Sequence, residues 1–324
     1  MPGVKSSLTG LLRGLRPPAL VRSVYEHLLG TEVEVQVVAD TRALGEAAEG
    51  AALDEIRRLT AVFNRFDPDS ELRRWLAQPG ERVLLSPDLR EVLALADHWR
   101  VRSGGAFHPG ADALGAVWEE AARADQRPDH ALLERLVHDL HADPWTLHPD
   151  GHATLHATSP LGLNALAKGY IVDRAAEAAA RSPGVRQVLV NAGGDLRTVG
   201  PRGVAVSVAD PRTRRDDAPP VARVRVQGGA LASSGTAHRG VEIAGQWYSH
   251  VIDPRTGQPV TGTAGATVLA PDCATADALA TVVGVLPPAD ALALVETQPS
   301  SAALLVLQDG QTRVGTRWPA LTSS

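Results

Sequence analysis

The stretch from Leu163 to Asp195 constrains this chain more than any other. It reads as a glycine-bearing loop with one lysine, an Ala-rich helix, the buried-strand run Val188-Leu-Val, and the turn Ala192-Gly-Gly-Asp. Elsewhere helix and strand patterns are mixed rather than strictly alternating. That predicts an α+β fold in a single compact domain. The lysine is conspicuous because Lys5 and Lys168 are the only two in the chain, all other basic residues being arginine. A compact ammonium suits a phosphate in a tight space. The alternative is a chance lysine at a helix start, where a cation is mildly unfavourable against the dipole.

At 324 residues, 44% hydrophobic and 21% charged, the chain falls in the soluble globular class. A net charge of -5 with no basic stripe gives no electrostatic case for nucleic acid. The single cysteine, Cys273, excludes an intrachain disulfide and Cys-rich metal ligation; it reads as a small buried filler. Residues 1–24 are expected to form a flexible N-terminal extension, and residues 25–324 the folded domain. Basic residues precede no apolar run of signal-peptide quality, and no window is long enough to span a bilayer, so a cytoplasmic location is expected.

Along the chain, Thr31-Glu-Val-Glu-Val-Gln-Val alternates as a half-buried strand does, and Arg42–Phe66 has helical spacing. Asp69 or Ser70 would cap a short helix after the turn at Pro68. Ser86-Pro-Asp-Leu opens a helix that stops near Arg102 at Gly104-Gly105, delivering Ala106-Phe107-His108-Pro109 into a loop. His138, His141, His148, His152 and His156 crowd together, but their spacing matches no metal motif; they read as solvated side chains. The second half is mostly strands, at 204–208, 222–226, 241–243, 266–270 and 302–307, with a Gly/Ser turn at 232–236. A helix opens at Thr275 and another at Pro288.

Asp277 and Thr281 lie four residues apart, which on a helix puts a carboxylate and a hydroxyl on one face. Such an oxygen pair suits magnesium; equally, Asp277 would complement the helix dipole while Thr281 packs inward. Helix starts after Lys168 and at Thr275 would both offer N–H groups to a phosphate. His250, three residues before Asp253, is either a general base or a structural histidine bonded to the following turn.

Six segments occur in the order and spacing of one family: Phe66-Asp-Pro-Asp-Ser-Glu-Leu, Ser103-Gly-Gly-Ala-Phe, Ala167-Lys-Gly-Tyr-Ile-Val-Asp, Val190-Asn-Ala-Gly-Gly-Asp, Ser249-His-Val-Ile-Asp-Pro-Arg-Thr-Gly and Ala276-Asp-Ala-Leu-Ala-Thr. From Leu29 to Leu307 the chain resembles the FAD:protein FMN transferases, the ApbE-type flavin transferases with a T-fold-like domain. The resemblance implies a magnesium-dependent enzyme that cleaves FAD, joins FMN through its phosphate to a threonine or serine hydroxyl of an acceptor flavoprotein, and releases AMP. By motif position it implies metal ligation by Asp277, Thr281 and the main-chain carbonyl of Ala165. It implies FAD contacts by Lys168, Ala106, Phe107, His108, Ile252 and the aromatic Phe66. His250 would deprotonate the acceptor hydroxyl.

The chain departs from the family pattern in places. His108 stands where Gly-Gly-Ala-Phe is usually followed by Asp, and Gly162-Leu-Asn-Ala replaces Asp-Leu-Gly-Gly. Phe66 replaces a frequent tyrosine, and Leu29 replaces Met of Met-Gly-Thr. These departures leave two alternatives: an FAD pyrophosphatase that frees FMN and AMP, or a non-catalytic flavin-binding protein.

Overall fold

The structure, a computed structural model, describes residues 17–318 apart from 214, 216 and 236–238. Strands β1 (Ala19–Leu28) and β2 (Thr31–Ala39) form a hairpin, followed by α1 (Arg42–Phe63) and α2 (Glu71–Leu76). Next come β3 (Arg82–Leu84), α3 (Pro87–Arg102), α4 (Ala111–Arg123), α5 (His130–Asp139), β4 (Trp145–Leu147) and β5 (His152–Leu155). The central helix α6 (Asn164–Ala180) runs into β6 (Val185–Ala192) and β7 (Asp195–Val199). A hairpin of β8 (Val204–Val208) and β9 (Ala222–Val226) precedes β10 (Ala230–Gly235), β11 (Gly240–Ile243) and β12 (Gln246–Ser249). The last elements are β13 (Ile252–Asp253), β14 (Gln258–Pro259), β15 (Thr263–Ala270), α7 (Cys273–Val285), α8 (Pro288–Glu296), β16 (Ala302–Leu307) and β17 (Thr312–Val314).

Eight strands make one antiparallel sheet in the order β1-β2-β6-β7-β10-β15-β16-β17. Alternation decides which side chains enter the main core. Val33, Val35 and Val37 of β2 and Val188 and Val190 of β6 face helices α1 and α6. Each such valine contributes about 1.5–3 kcal/mol by leaving water. Strand β15 is buried along its whole length because both its faces are covered. Ala266 and Val268 meet the helices, whereas Leu269 joins Val208, Val224 and Val226 under the β8–β9 hairpin. A third cluster packs Leu114, Trp118, Leu133, Ile243 and Ile252 between α4, α5 and the short hairpins after β10. This is the α+β arrangement expected, with the caps at Ser70 and Ser86 in place.

Several local expectations change. Lys168 and Gly169 lie in the second turn of α6, not in a loop before it. The glycine is there for space: a Cβ on Gly169 would stand 2.7 Å from the Cys273 carbonyl carbon, so only a hydrogen lets α6 approach α7. Residues 19–24, assigned to the extension, belong to β1; residues 1–16 of that extension lie outside the described residues. The stretch 230–235 is strand β10 paired with β15, not a turn, and Thr236 lies outside the described residues. The amphipathic helix α4 has no counterpart in the sequence reading.

Candidate active site

Strand alternation turns Leu196 into the second cluster, so its neighbour Asp195, 1% exposed, faces the helices. There its carboxylate forms an ion pair with the Lys168 ammonium. Asp277, on the first turns of α7, is 8% exposed, and its Oδ2 accepts from the N–H of Gly169 at 3.2 Å. Two acids from distant parts of the chain thus converge on one ammonium.

Electrostatics at this point are strained. Burial, then the charge of Asp195, pushes the Asp277 carboxyl well above the carboxylate range, with Lys168 opposing. Burial likewise raises Asp195, which Lys168 pulls back. Burial works against the Lys168 ammonium, yet the two acids outweigh it and hold its pKa above the ordinary value. One ammonium supports one carboxylate; the second acid is driven towards its protonated form. A cation would remove that conflict. The donors to hand are oxygens, Asp277 and the half-buried Thr281 one helical turn on, which suits a hard ion. The carbonyl of Ala165 lies one helical turn before Gly169, whose N–H donates to Asp277, so a main-chain oxygen comes from the same stretch of α6. The residues therefore fit a divalent cation. Among the described residues no group of three or more His, Cys, Asp or Glu converges as a metal cluster, so hydroxyl and main-chain oxygens would have to complete the ligand set.

The start of α7 differs from expectation. The helix begins at Cys273, and its first N–H groups are already taken. Asp173 of α6 accepts from Cys273 at 2.8 Å and Ala274 at 2.9 Å, and Asp272 accepts from Thr275 at 2.8 Å. This end is closed to a phosphate. Asp173 ties α6 to α7, its carboxyl raised to about 6 chiefly by burial. Cys273 is fully buried with its thiol pushed up by desolvation, as a filler should be. The N-terminus of α6 has no side-chain cap and keeps its dipole end open.

The remaining predicted residues fall into different settings. Phe66 is 82% exposed, with the Arg65 guanidinium 5.0 Å over its ring. Ala106 and Phe107 are core residues, and the Phe107 N–H donates to Ser103 Oγ at 2.9 Å. His108 is buried, its Nδ1 accepting from Gly110 N–H at 2.9 Å. Desolvation and then the nearby Arg100 lower its pKa to about 4. Ile252 is packed in the third cluster. His250 is exposed; its Nδ1 lies 2.9 Å from the carbonyl of Arg239. A carbonyl only accepts, so Nδ1 carries the proton and Nε2 presents a lone pair to solvent. Burial of part of the ring depresses the His250 pKa. Among the clustered histidines, His148 bonds Thr154 and His156 bonds Thr146 across the β4–β5 hairpin, which accounts for those two locally.

Sequence reasoning quoted the Gly-Gly-Asp segment but did not assign Asp195 to the site. The signal was an acid immediately after a glycine turn that follows a buried strand.

The fold is an α+β one in which Lys168 meets two buried acids, Asp195 and Asp277. The chain belongs to the ApbE family, which it matches over residues 29–305. It is 28% identical over 313 residues to the FAD:protein FMN transferase of Rhodobacter capsulatus, a match covering 94% of this chain and 58% of that one. To the protein of the same name from Vibrio cholerae it is 32% identical over 313 residues, covering 92% and 91%. The crystal structure of an ApbE protein from Thermotoga maritima superposes with a TM-score of 0.79 at 26% identity, covering 94% of this chain and 99% of that one. Among the described residues no helix is long and apolar enough to cross a membrane.

Proposed function

We propose that this protein transfers FMN from FAD to a threonine or serine hydroxyl of an acceptor flavoprotein, with magnesium, releasing AMP. The observation that carries the reading is the convergence of Lys168, Asp195 and Asp277 at the uncapped end of α6, within a chain of the ApbE family. Phosphoryl transfer needs charge neutralisation and in-line positioning more than covalent help. Lys168 faces the pyrophosphate as a point charge, and Asp195 keeps that ammonium protonated and in place. Asp277, Thr281 and the Ala165 carbonyl would hold a magnesium ion, which when bound would supply Lewis-acid stabilisation of the pyrophosphate. The acceptor oxygen attacks the FMN phosphorus as the bond from that phosphorus to the AMP oxygen breaks. His250 takes the hydroxyl proton on Nε2, the atom left free by the Arg239 contact. Phe66 offers its open face to the flavin; Ala106, Phe107, His108 and Ile252 shape the wall behind it.

The test is AMP release from FAD, with and without magnesium and a threonine-bearing acceptor. Release that requires both supports the transferase. Release with magnesium alone makes the protein an FAD pyrophosphatase, and FAD binding without release makes it a carrier; either overturns the proposal. Asp277→Asn should abolish the magnesium-dependent release.

A further inference from the structure

A side chain on Gly162 would have to displace a carboxylate that belongs to another element. A Cβ built on it would stand 2.6 Å from Cγ of Asp112, closer than any real Cβ approaches a neighbour. Asp112 belongs to the first turn of α4, fifty positions earlier, yet its carboxylate occupies the place where a residue 162 side chain would begin. Gly162 is itself held there, its N–H donating to the Pro109 carbonyl at 2.8 Å. Three residues on lies Ala165, in the open first turn of α6.

The carboxylate is not isolated. Oδ2 of Asp112 is held by Arg65, whose guanidinium also covers one face of the exposed Phe66 ring. The side chains of Arg65 and Asp112 remain 35% and 38% exposed, so the group opens to solvent beside the α6 terminus instead of being sealed in the core. Partial burial raises the Asp112 carboxyl, against the pull of Arg65. With Oδ2 engaged by Arg65, Oδ1 is the oxygen available to a donor from outside. A cation-backed aromatic face next to a free carboxylate oxygen can receive a planar ring and an N–H or O–H group carried near it.

We propose that Asp112 is a substrate-binding residue which accepts a hydrogen bond from an N–H or O–H group of FAD, and that Gly162 is glycine to leave room for it. The carboxylate at this spot comes from α4 rather than from the chain segment leading into α6. The inference rests on the FAD reading above. The competing account is that Asp112 serves only the α4 dipole and the Arg65 pair, in which case its loss would lower stability and leave FAD untouched.

The experiment is an FAD titration of the full chain by quenching of flavin fluorescence, with the KM for FAD in AMP release and the Tm of each variant alongside. Asp112→Ala should weaken FAD binding about tenfold and raise KM more than it lowers kcat. Asp112→Asn, which keeps the shape and one acceptor oxygen, should lose about threefold and stands in if the alanine variant does not fold. Gly162→Asp alone should be impaired, because two carboxylates would compete for one place. Asp112→Gly combined with Gly162→Asp should regain most of the affinity. Unchanged FAD affinity in the folded Asp112 variants, or a double variant as weak as Asp112→Ala, overturns the assignment while leaving the transferase reading intact. Failure of the unmodified chain to bind FAD removes both.

Discussion

The N–H of Gly169 donates to Oδ2 of Asp277 at 3.2 Å, beside the place where Gly169 lies against the α7 backbone at Cys273. The bond joins two halves of the site: the helix that carries Lys168 and the helix that carries Asp277 and Thr281. The contact exists because residue 169 is glycine.

Gly169→Ala should therefore separate the helices. The added methyl meets main chain at Cys273, which cannot rotate away as a side chain would. We expect a loss of about 2–3 kcal/mol, in the range of overpacked cores, and a weaker magnesium requirement for AMP release. Urea unfolding and a magnesium titration of the same protein measure both. Stability within about 0.5 kcal/mol of the original would contradict the packing argument.

Lys168→Met should leave Asp195 and Asp277 without their ammonium. Breaking a fully buried pair costs about 3–5 kcal/mol; with Lys168 at 30% exposure we expect about 2–3. Adding Asp195→Asn should recover much of that stability but none of the activity. A double-mutant cycle by chemical denaturation reads the coupling, and strictly additive effects would refute it.

His108 is buried neutral, its pKa lowered to about 4 by desolvation and by Arg100, with His141 adding and Asp97 opposing. The unfolded chain takes up its proton near 6.5, whereas the folded chain resists until about 4. Its neutral form thus stabilises the fold at neutral pH, and that stability is lost as pH falls from about 6.5 to about 4. The full effect is about 3 kcal/mol as an order of magnitude. His108→Gln should flatten this part of the stability–pH curve measured by denaturant midpoints. A curve of unchanged slope would remove His108 as its source.

His250→Gln should leave FAD binding intact and slow transfer at least about a hundredfold, the usual worth of a positioned base. Because its pKa is depressed, the acid limb of kcat/KM should fall below the ordinary histidine value of about 6.5. A limb unchanged in the variant would show that another group titrates.

Much of this protein was determined by local sequence. Alternation at Val33, Val35 and Val37 set the face of β2, and Ser70 and Ser86 capped the helices they precede, because those effects act within a few residues. The six motifs named the family for the same reason: each is a short string. Tertiary structure alone decided the rest. Lys168 was legible as an unusual residue, but Asp195 became its partner only when β7 paired between β6 and β10 and turned that side chain towards α6. The α7 start looked open to a phosphate until Asp173, one hundred residues earlier, proved to hold its N–H groups. Gly162 read as a missing acid, and only the fold brought Asp112 to the vacated place. Burial, and the charge conflict it creates at Asp277, depends on which distant surfaces meet, and no window of sequence contains that information.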